Sequence, residues 1–442
     1  MKKTTQLSRR GFIGTNIAAG AGLLLRSLAT GIPPALLLAP SRATAQGSGI
    51  RPQTLILSVS QAGDPVNINC PGSYINNAAD RFQNNPVLPV TRARFGDQRI
   101  RTAEPWAALP AQLRQRLAFF HMKTFAAAHP EFDETMSLRN AVKNQAGNGS
   151  ETFASMSAQL NATAVGSIQK EPIILGRNRI TYENQPLQQT EPTQLKALFD
   201  PAAGTLDDLG LLRDRTLNRL YATMRTDGTR SQMAFLERFM TGRDQARTMG
   251  NNLGRLLESI PTSPDEPNSV EDYIHSAVAL AQLGVAPVIV LNIPFGRDNH
   301  QDSTLETEAV QTTRGINAMG LMWQELNRFE IQDQVTFAML NVFGRKFNRN
   351  ARGGRDHNRD HSVMVSFGRH INGGVYGGVD ADGKCTNIAP NDGRSVSSGG
   401  ISANAAMATA GRSLAAALGH SNRDINTRIQ GGRILDAFIN RS

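Results

Sequence analysis

The stretch APVIVLNIPF, residues 286–295, decides the fold together with the segments that come after it. The residues DNHQDS form a loop, TLETEAVQTTRGINAMGLMWQELNRF (304–329) predicts a long helix, and QVTFAMLNVF (334–343) is a second apolar run. A continuous apolar run with turn residues at its ends is typical of a strand buried on both faces of a parallel sheet. The order strand, helix, strand therefore predicts an open, largely parallel sheet covered by helices on both faces, which is an α/β fold.

Further strands are predicted on both sides of this block, at TLILSVS (54–60), LAFFHM (117–122), EPIILG (171–176) and VMVSFG (363–368). Amphipathic patterns predict successive helices over 190–260, a linker at Pro261–Pro267 and another helix over 270–284 that ends at Gly284. We therefore expect one α/β domain over 50–442, with a helical insertion around 190–284.

The first 45 residues predict an export signal. Ser8-Arg9-Arg10-Gly11-Phe12-Ile13 matches the twin-arginine pattern of the Tat translocase, and Ala43-Thr44-Ala45 is a small-x-small cleavage site. Neither apolar piece of the segment reaches the roughly 18 residues of a spanning helix, although an uncleaved anchor remains the alternative. We expect a periplasmic or secreted protein with no transmembrane segment in its mature chain.

The net charge of +10 depends largely on this signal. Removing its six basic residues leaves 41 basic and 37 acidic residues, a balance that disfavours a nucleic-acid-binding protein.

Two cysteines, Cys70 and Cys385, leave a disulfide and two free thiols as alternatives, and they are too few for a cysteine-type zinc site. The sequence has no Gly-x-Ser-x-Gly, Walker A or His-Glu-x-x-His motif.

Possible metal ligands follow three predicted strands at the point where each strand ends. Asp64 follows strand 54–60, Asp298 and His300 follow strand 286–295, and Asp356 and His357 follow strand 334–343. Parallel strands end at one edge of a sheet, where ligands bind. Carboxylate and imidazole groups suit Zn²⁺, Mn²⁺ or Fe, and we expect a divalent metal, with zinc the first candidate. For each segment the alternative is an ordinary turn or a solvated charged loop.

The spacing of these residues is compatible with a site for one metal ion or for two. Asp298 and His300 point to the same side of an extended segment, whereas adjacent Asp356 and His357 point to opposite sides unless their loop turns. Two ions about 3.5–4 Å apart would suit displacement at phosphorus. Arginines in the loop 344–361, above all Arg345 and Arg355, are candidate clamps for phosphate or sulfate, and His361 and His129 are candidate outer residues of the site.

Five stretches resemble an exported bacterial family, the domain of unknown function fifteen-oh-one group of the alkaline phosphatase/sulfatase superfamily. PFGRDNHQ (294–301) is similar to its Gly-Gly-Trp-Asp-x-His-x-x-Gln segment, and NVFGRKFNRN (341–350) to Ser-Glu-Phe-Gly-Arg-Thr. GGRDHNRDHSVMVSFGRHINGGVYG (353–377) is similar to Gly-x-Asp-His-Gly, an apolar strand and a glycine-rich segment. QAGDPVNINCP (61–71) and AAHPEFDE (127–134) complete the resemblance.

The resemblance implies an alkaline-phosphatase-like α/β fold, metal positions at the five strand-end residues, and hydrolysis of phosphate or sulfate esters. This chain departs from the family pattern at Val342, Lys346 and Arg297, which replace an acid, a threonine and a tryptophan. The nucleophile of such enzymes has only Cys70 and Ser73 as candidates here. The hypothesis is an exported metal-dependent hydrolase acting on a small anionic ester. The alternative is a catalytically degenerate protein of the same fold that binds a cell-envelope polymer.

Overall fold

A computed structural model describes residues 50–74, 85–198, 215–216, 219, 221–222, 229, 266–296 and 298–442. The predicted export signal, Arg297 and most of the predicted helical insertion lie outside these residues. Of that insertion, the structure describes the helices Pro192–Leu198 and Val270–Gln282. The division of the chain into a signal and a single domain with an insertion therefore stays a prediction.

The strands of the described residues are short, and most of those in the main sheet are fully buried. In chain order they are β1 Thr54–Ser60, β2 Val90–Phe95, β3 Gln98–Ala103, β4 Ala118–Met122, β5 Ile173–Leu175, β6 Thr181–Tyr182, β7 Gln185–Pro186, β8 Gln189–Thr190, β9 Val288–Leu291, β10 Val335–Asn341, β11 Gly344–Arg349, β12 Arg355–Asn358, β13 Ser362–Phe367, β14 Gly374–Tyr376, β15 Asn387–Ile388 and β16 Ser395–Val396.

The helices are Val66–Asn69, Glu104–Ala108, Ala111–Arg116, Phe132–Met136, Phe153–Val165, Pro192–Leu198, Val270–Gln282, Glu306–Arg328, Ala406–Ala417 and Asn422–Arg428, with 3-10 turns at His129–Glu131, Ala403–Ala405 and Asp436–Phe438. Helix Val270–Gln282 begins with a capping box between Ser269 and Asp272 and ends before Gly284 in the left-handed conformation, as its sequence predicts.

Eight strands form the main sheet in the order β14-β4-β13-β10-β1-β9-β5-β8. β1 lies in the middle and pairs in parallel with both β9 and β10. All other pairs in this sheet are parallel except those of β13, which runs antiparallel to β10 and to β4. The predicted α/β class with a large, mostly parallel sheet is confirmed.

The connection between β10 and β13 differs from the predicted one. The segment 344–361 is not an open loop but carries the antiparallel hairpin β11–β12. Because no crossover helix lies between β10 and β13, the chain returns beside β10 in the reverse direction. The hairpin projects at the carboxyl end of β10, which places its residues at the same edge as the loops after β1 and β9.

The two faces of the sheet bury alternate side chains of the central strands. On one face, Ile56 and Phe337 pack against helices that include Val270–Gln282 and Glu306–Arg328. On the other, Leu57 and Leu340 pack against helices that include Phe153–Val165 and Ala406–Ala417. Burial on both faces explains why these strands are continuous apolar runs.

Cys70 and Cys385 are both buried and are free thiols. Burial raises the pKa of each thiol to about 12, so both side chains behave as small apolar groups. Among the described helices, none combines the length and the apolar character that crossing a membrane requires.

Leu57 is 1% exposed in β1, so replacing it with alanine should leave a cavity in the sheet. We expect Leu57→Ala to lower the free energy of unfolding by about 2–5 kcal/mol. Val310→Ala is the control, because Val310 is 67% exposed and should change stability by less than about 0.5 kcal/mol. Urea unfolding followed by circular dichroism measures both, and equal midpoints for the two variants would contradict this burial pattern.

Candidate functional site

Two loops lie backbone to backbone at the carboxyl edge of the sheet. The Arg355 amide donates to the Asn299 carbonyl at 3.1 Å, and the Asn350 side-chain amide donates to the His300 carbonyl at 3.1 Å. A Cβ atom on Gly354 would overlap the Asn299 and His300 carbonyls. The glycine at position 354 therefore allows the hairpin β11–β12 to contact the loop after β9.

The imidazole of His300 lies between the two residues that the sequence places side by side in β12. His300 Nδ1 is 3.1 Å from Asp356 Oδ1, and His300 Nε2 is 3.0 Å from His357 Nε2. The hydrogen bond from the Asn350 amide and the contact with His300 lower the pKa of Asp356, so its carboxylate is ionised and can only accept. His300 Nδ1 therefore carries the proton that this contact needs.

The outer nitrogen of His357 is fixed in the same way. His357 Nδ1 is 2.7 Å from the Ala127 carbonyl, and a carbonyl can only accept, so Nδ1 is the protonated nitrogen. The ring stacks on Phe343 with centroids 3.9 Å apart. Burial lowers the pKa of His357, although its bond to Ala127 acts in the opposite direction. His357 is therefore held as a neutral imidazole with Nε2 turned toward His300.

His129 lies next to this pair. Its Nδ1 is 2.6 Å from the Gln61 carbonyl, and its ring is edge-on to His357 with centroids 4.8 Å apart. His129 resembles His357 in that a backbone carbonyl, which can only accept, binds Nδ1, so Nδ1 carries a proton.

Asp298 lies beside His300 with half of its side chain in solvent. Its Oδ1 accepts from the His300 amide at 3.2 Å and is 3.5 Å from His300 Nε2. Partial burial acts to raise its pKa, but the His300 amide and the Arg345 charge outweigh it and lower that pKa. The lowered pKa keeps the carboxylate ionised, and the side chain is 55% exposed.

Arg345 is fully buried beneath these residues. Its Nε donates to the Gly63 carbonyl at 2.6 Å, Nη2 donates to Ala62 at 2.7 Å, and Nη1 lies 3.5 Å from Asp298 Oδ1. Burial lowers its pKa, and the neighbouring carboxylates oppose this. Its donors are taken by the protein itself, so the guanidinium acts as a fixed internal cation, and its predicted binding of an anion stays a prediction.

Asp64 lies near Arg345 and belongs to the loop after β1. It is 1% exposed, its Oδ2 accepts from the Phe295 amide at 3.3 Å, and its Oδ1 lacks a hydrogen-bond partner among the described residues. Burial raises its pKa to about 7, although the Phe295 amide and the Arg345 charge act in the opposite direction. No hydrogen bond within the described residues joins Asp64 to His300 or His357.

Glu308 binds the loops together from the first turn of helix Glu306–Arg328. Its buried carboxylate accepts from Arg355 Nε at 2.8 Å and from the Asn299 side-chain amide at 2.7 Å. It also accepts from Asn69 at 3.1 Å and Asn85 at 3.3 Å. Arg355 is fully buried and donates in addition to the Phe347 carbonyl, so its geometry is that of a buried ion pair.

The two candidate nucleophiles lie in the loop after β1. Cys70 and Ser73 are both fully buried, with Sγ and Oγ 3.2 Å apart, and Ser73 Oγ donates to the Asn67 carbonyl at 2.6 Å. Neither side chain forms a hydrogen bond with His300 or His357. The structure thus brings neither of these two candidates to the histidine pair.

His361 belongs to a second, fully buried cluster. Its Nε2 is 2.8 Å from His121 Nδ1, its Nδ1 is 3.1 Å from the Asn67 side-chain amide, and His121 Nε2 is 2.9 Å from the Pro71 carbonyl. Burial lowers the pKa of His361 well below its usual range and that of His121 to about 4. Both rings are neutral, and the chain of bonds fixes the loop 66–74 to β4 and β13.

The imidazole and carboxylate groups of this site suit a divalent ion such as zinc. The two histidines are close enough to bind one ion, but a third ligand is not in position. In the part of the chain that the structure describes, no group of three or more His, Cys, Asp and Glu side chains is arranged to hold a metal ion. Two nitrogens of a tetrahedral zinc site lie roughly 3.3 Å apart, close to the 3.0 Å between His300 and His357. The pair fits an ion, whereas Asp298 would have to rotate toward it.

No family model matches this chain, and no curated protein matches it either. Of the solved structures, that of Ps i-CgsB in complex with k-i-k-neocarrahexaose is 9% identical, with a TM-score of 0.36, and the match covers 88% of this chain and 76% of that chain. Another structure of Ps i-CgsB is 10% identical, with a TM-score of 0.32 and the same coverage. Likeness at this level assigns neither activity nor ligand to this chain.

Some residues of the site are not among the sequence-based candidates. Glu308 is one of the acids in the first turn of a helix, where an interaction with the helix dipole explains it equally well. His121 lies inside the apolar run of β4, which hides it among core residues. The Ala127 and Gln61 carbonyls leave no signal in the sequence, because every residue has one.

Glu308→Gln should loosen the site, because it leaves the buried Arg355 guanidinium without its counter-charge. We expect a loss of about 3–5 kcal/mol in the free energy of unfolding, measured by urea denaturation. Glu306→Gln is the matched control, since it makes the same change at an exposed position of the same helix and should cost less than about 0.5 kcal/mol. Similar losses in both variants would show that Arg355 does not depend on Glu308.

Proposed function

We propose that this protein is an exported, metal-dependent hydrolase of phosphate or sulfate esters, with its site at His300, His357 and Asp298. Export rests on the twin-arginine pattern of residues 1–45 alone. The metal and the chemistry rest on the arrangement of the histidine pair and of the carboxylates around it.

One observation carries the metal proposal. Both Nδ1 atoms of the pair are protonated, because Asp356 and the Ala127 carbonyl can only accept. If both rings are neutral, two bare Nε2 lone pairs face each other at 3.0 Å. Such a contact is repulsive unless a cation binds both nitrogens. That cation is either a proton, which makes one ring an imidazolium, or a metal ion.

The surroundings favour a metal ion over a shared proton. Burial lowers the pKa of His357, which disfavours an imidazolium there. A carboxylate or carbonyl on the outer nitrogen of a histidine is the usual support for a metal ligand, because it fixes the tautomer and raises basicity. The exposed carboxylate of Asp298, 3.5 Å from His300 Nε2, can supply the third ligand after a rotamer change.

A single ion suits this site better than two. Arg345 already places a fixed positive charge between Asp298 and the loop that carries Asp64, where a second ion would have to lie. Buried carboxylates need such compensation, and a guanidinium held by backbone carbonyls provides it without an ion. Asp64 would then neutralise the guanidinium, and the proposed role of Asp356 becomes the orientation of His300.

The chain's own residues would bind and orient an anionic ester. A divalent ion in this site would supply Lewis acidity toward the ester oxygens. Lys346, Arg349, Arg352 and Arg359 are exposed on and around the hairpin β11–β12, and their positive charge favours approach of an anionic ester. Phe343 supports the ring of His357 and excludes water from its buried side.

A second candidate function is a cell-envelope binding protein without catalysis. The burial of Cys70 and Ser73 favours it, because neither of these candidate nucleophiles forms a hydrogen bond with the histidine pair. Anionic polymer would then bind to the exposed arginines of the hairpin. In this case Arg349→Ala with Arg352→Ala should abolish polymer binding, whereas removal of metal should not change it.

The metal proposal predicts one zinc per chain in the purified protein, measured by inductively coupled plasma mass spectrometry. His357→Ala should remove stoichiometric zinc, and Asp356→Asn should weaken zinc binding about 10–100-fold because it removes the negative charge that supports the outer nitrogen of His300. His275→Ala is the matched control, since His275 lies on helix Val270–Gln282 near Glu325, at the far end of helix Glu306–Arg328 from Glu308. Zinc retained by His357→Ala would exclude this site, and two ions per chain would exclude the role given to Arg345.

The hydrolase proposal predicts release of nitrophenol from an aryl phosphate or an aryl sulfate by the zinc-loaded protein. Chelation and His357→Ala should each lower kcat/KM at least about a hundredfold, since a Lewis acid contributes several kcal/mol. The His275→Ala control should keep full activity. Stoichiometric zinc without release of either product would favour the binding protein over the enzyme.

A further inference from the structure

The hairpin β2–β3 places like charges directly opposite one another. Its antiparallel register pairs Arg92 with Arg101 and Arg94 with Arg99. Residues two apart in a strand share a face, so the four arginines lie on one side of the hairpin. Like charges opposite each other destabilise a strand pair. An arrangement that concentrates them needs a counter-charge.

The opposite face of the hairpin fixes it firmly to the protein. Phe95 is fully buried with its ring edge-on to Phe119 at a centroid distance of 5.4 Å, and Ala93 and Thr102 are buried beside it. The Gly96 amide in the turn donates to the Arg114 carbonyl at 3.0 Å. The arginine face therefore cannot turn inward, and it points away from the core.

In the part of the chain that the structure describes, no acidic side chain pairs with Arg92, Arg94 or Arg99. All three of these arginines are exposed. Asp97 lies in the turn, and Arg114 adds a further positive charge beside Arg94, since its Nη1 donates to the Arg94 carbonyl. Arg101 differs from the other three because its guanidinium lies over the ring of Tyr74, 5.9 Å from the centroid.

Two exposed valines lie in or just before β2. Val90 is 44% exposed, and it lies two residues before Arg92 on the same side of β2. Val87, just before the strand, is 48% exposed. Of the described residues, only Val310 is a further large hydrophobic residue with comparable exposure. The surface thus combines arginines with an apolar edge.

We propose that this face, formed by Val87, Val90, Arg92, Arg94 and Arg99, docks on an anionic phospholipid surface. Guanidinium groups bind phosphodiester oxygens through two N–H groups, and each basic residue near an anionic leaflet strengthens binding about fivefold. The valines enter the boundary between head groups and acyl chains, which a soluble polyanion does not offer. Nucleic acid is disfavoured because no aromatic side chain stands among the outward residues of β2 and β3.

The test is co-sedimentation of the purified protein with vesicles of phosphatidylcholine containing 30% phosphatidylglycerol, against vesicles of phosphatidylcholine alone. We expect binding to the anionic vesicles only. Arg92→Gln with Arg94→Gln should weaken it about thirtyfold. Arg423→Gln with Arg433→Gln is the matched control, because it removes two exposed arginines elsewhere and should change binding less than about twofold.

Val87→Ser with Val90→Ser separates a lipid surface from a soluble polymer. The lipid proposal requires this variant to bind anionic vesicles at least about threefold more weakly while its retention on heparin stays unchanged. Unchanged vesicle binding by the valine variant would assign the face to a soluble polyanion, and equal binding to both kinds of vesicle would also overturn the proposal. Circular dichroism of each variant confirms that the hairpin substitutions leave the fold intact.

Discussion

The carboxylate of Glu308 is the interaction on which the candidate site depends. It is buried in the first turn of helix Glu306–Arg328 and accepts hydrogen bonds from Asn69, Asn85, Asn299 and Arg355. These donors come from the loop after β1, the segment before β2, the loop after β9 and the hairpin after β10. A charge buried in this way is tolerated because four donors satisfy the carboxylate.

The histidine pair is a consequence of this arrangement. Once the loop after β9 and the hairpin β11–β12 are joined, His300 enters between Asp356 and His357. The outer nitrogens donate to Asp356 and the Ala127 carbonyl, so the inner nitrogens carry no protons when both rings are neutral. Arg345 supplies positive charge below them and compensates Asp298 and Asp64. We propose that a divalent cation binds both inner nitrogens.

The central strands and the grouping of site residues at one edge of the sheet could be predicted from the sequence. β1, β9 and β10 are buried on both faces, so each is a continuous apolar run, and the rule that ligands bind at the carboxyl ends of parallel strands then brings Asp298, His300, Asp356 and His357 to one edge. The direction of β13 could not be predicted, because its apolar run is the same in either orientation. Long-range pairing alone decides that orientation.

The burial of Arg345 and Arg355 also could not be predicted from the sequence. A charged residue in a polar segment predicts exposure, yet Arg345 and Arg355 are fully buried, whereas Lys346 and Arg349 between them are exposed. Backbone carbonyls and Glu308, which only the folded chain brings together, make that burial favourable. The most direct measurement is a crystal structure of the protein with zinc, with anomalous diffraction recorded at the zinc edge. A single peak between His300 Nε2 and His357 Nε2, with Asp298 turned toward it, is the expected result, and a map without a peak between these nitrogens would contradict the account.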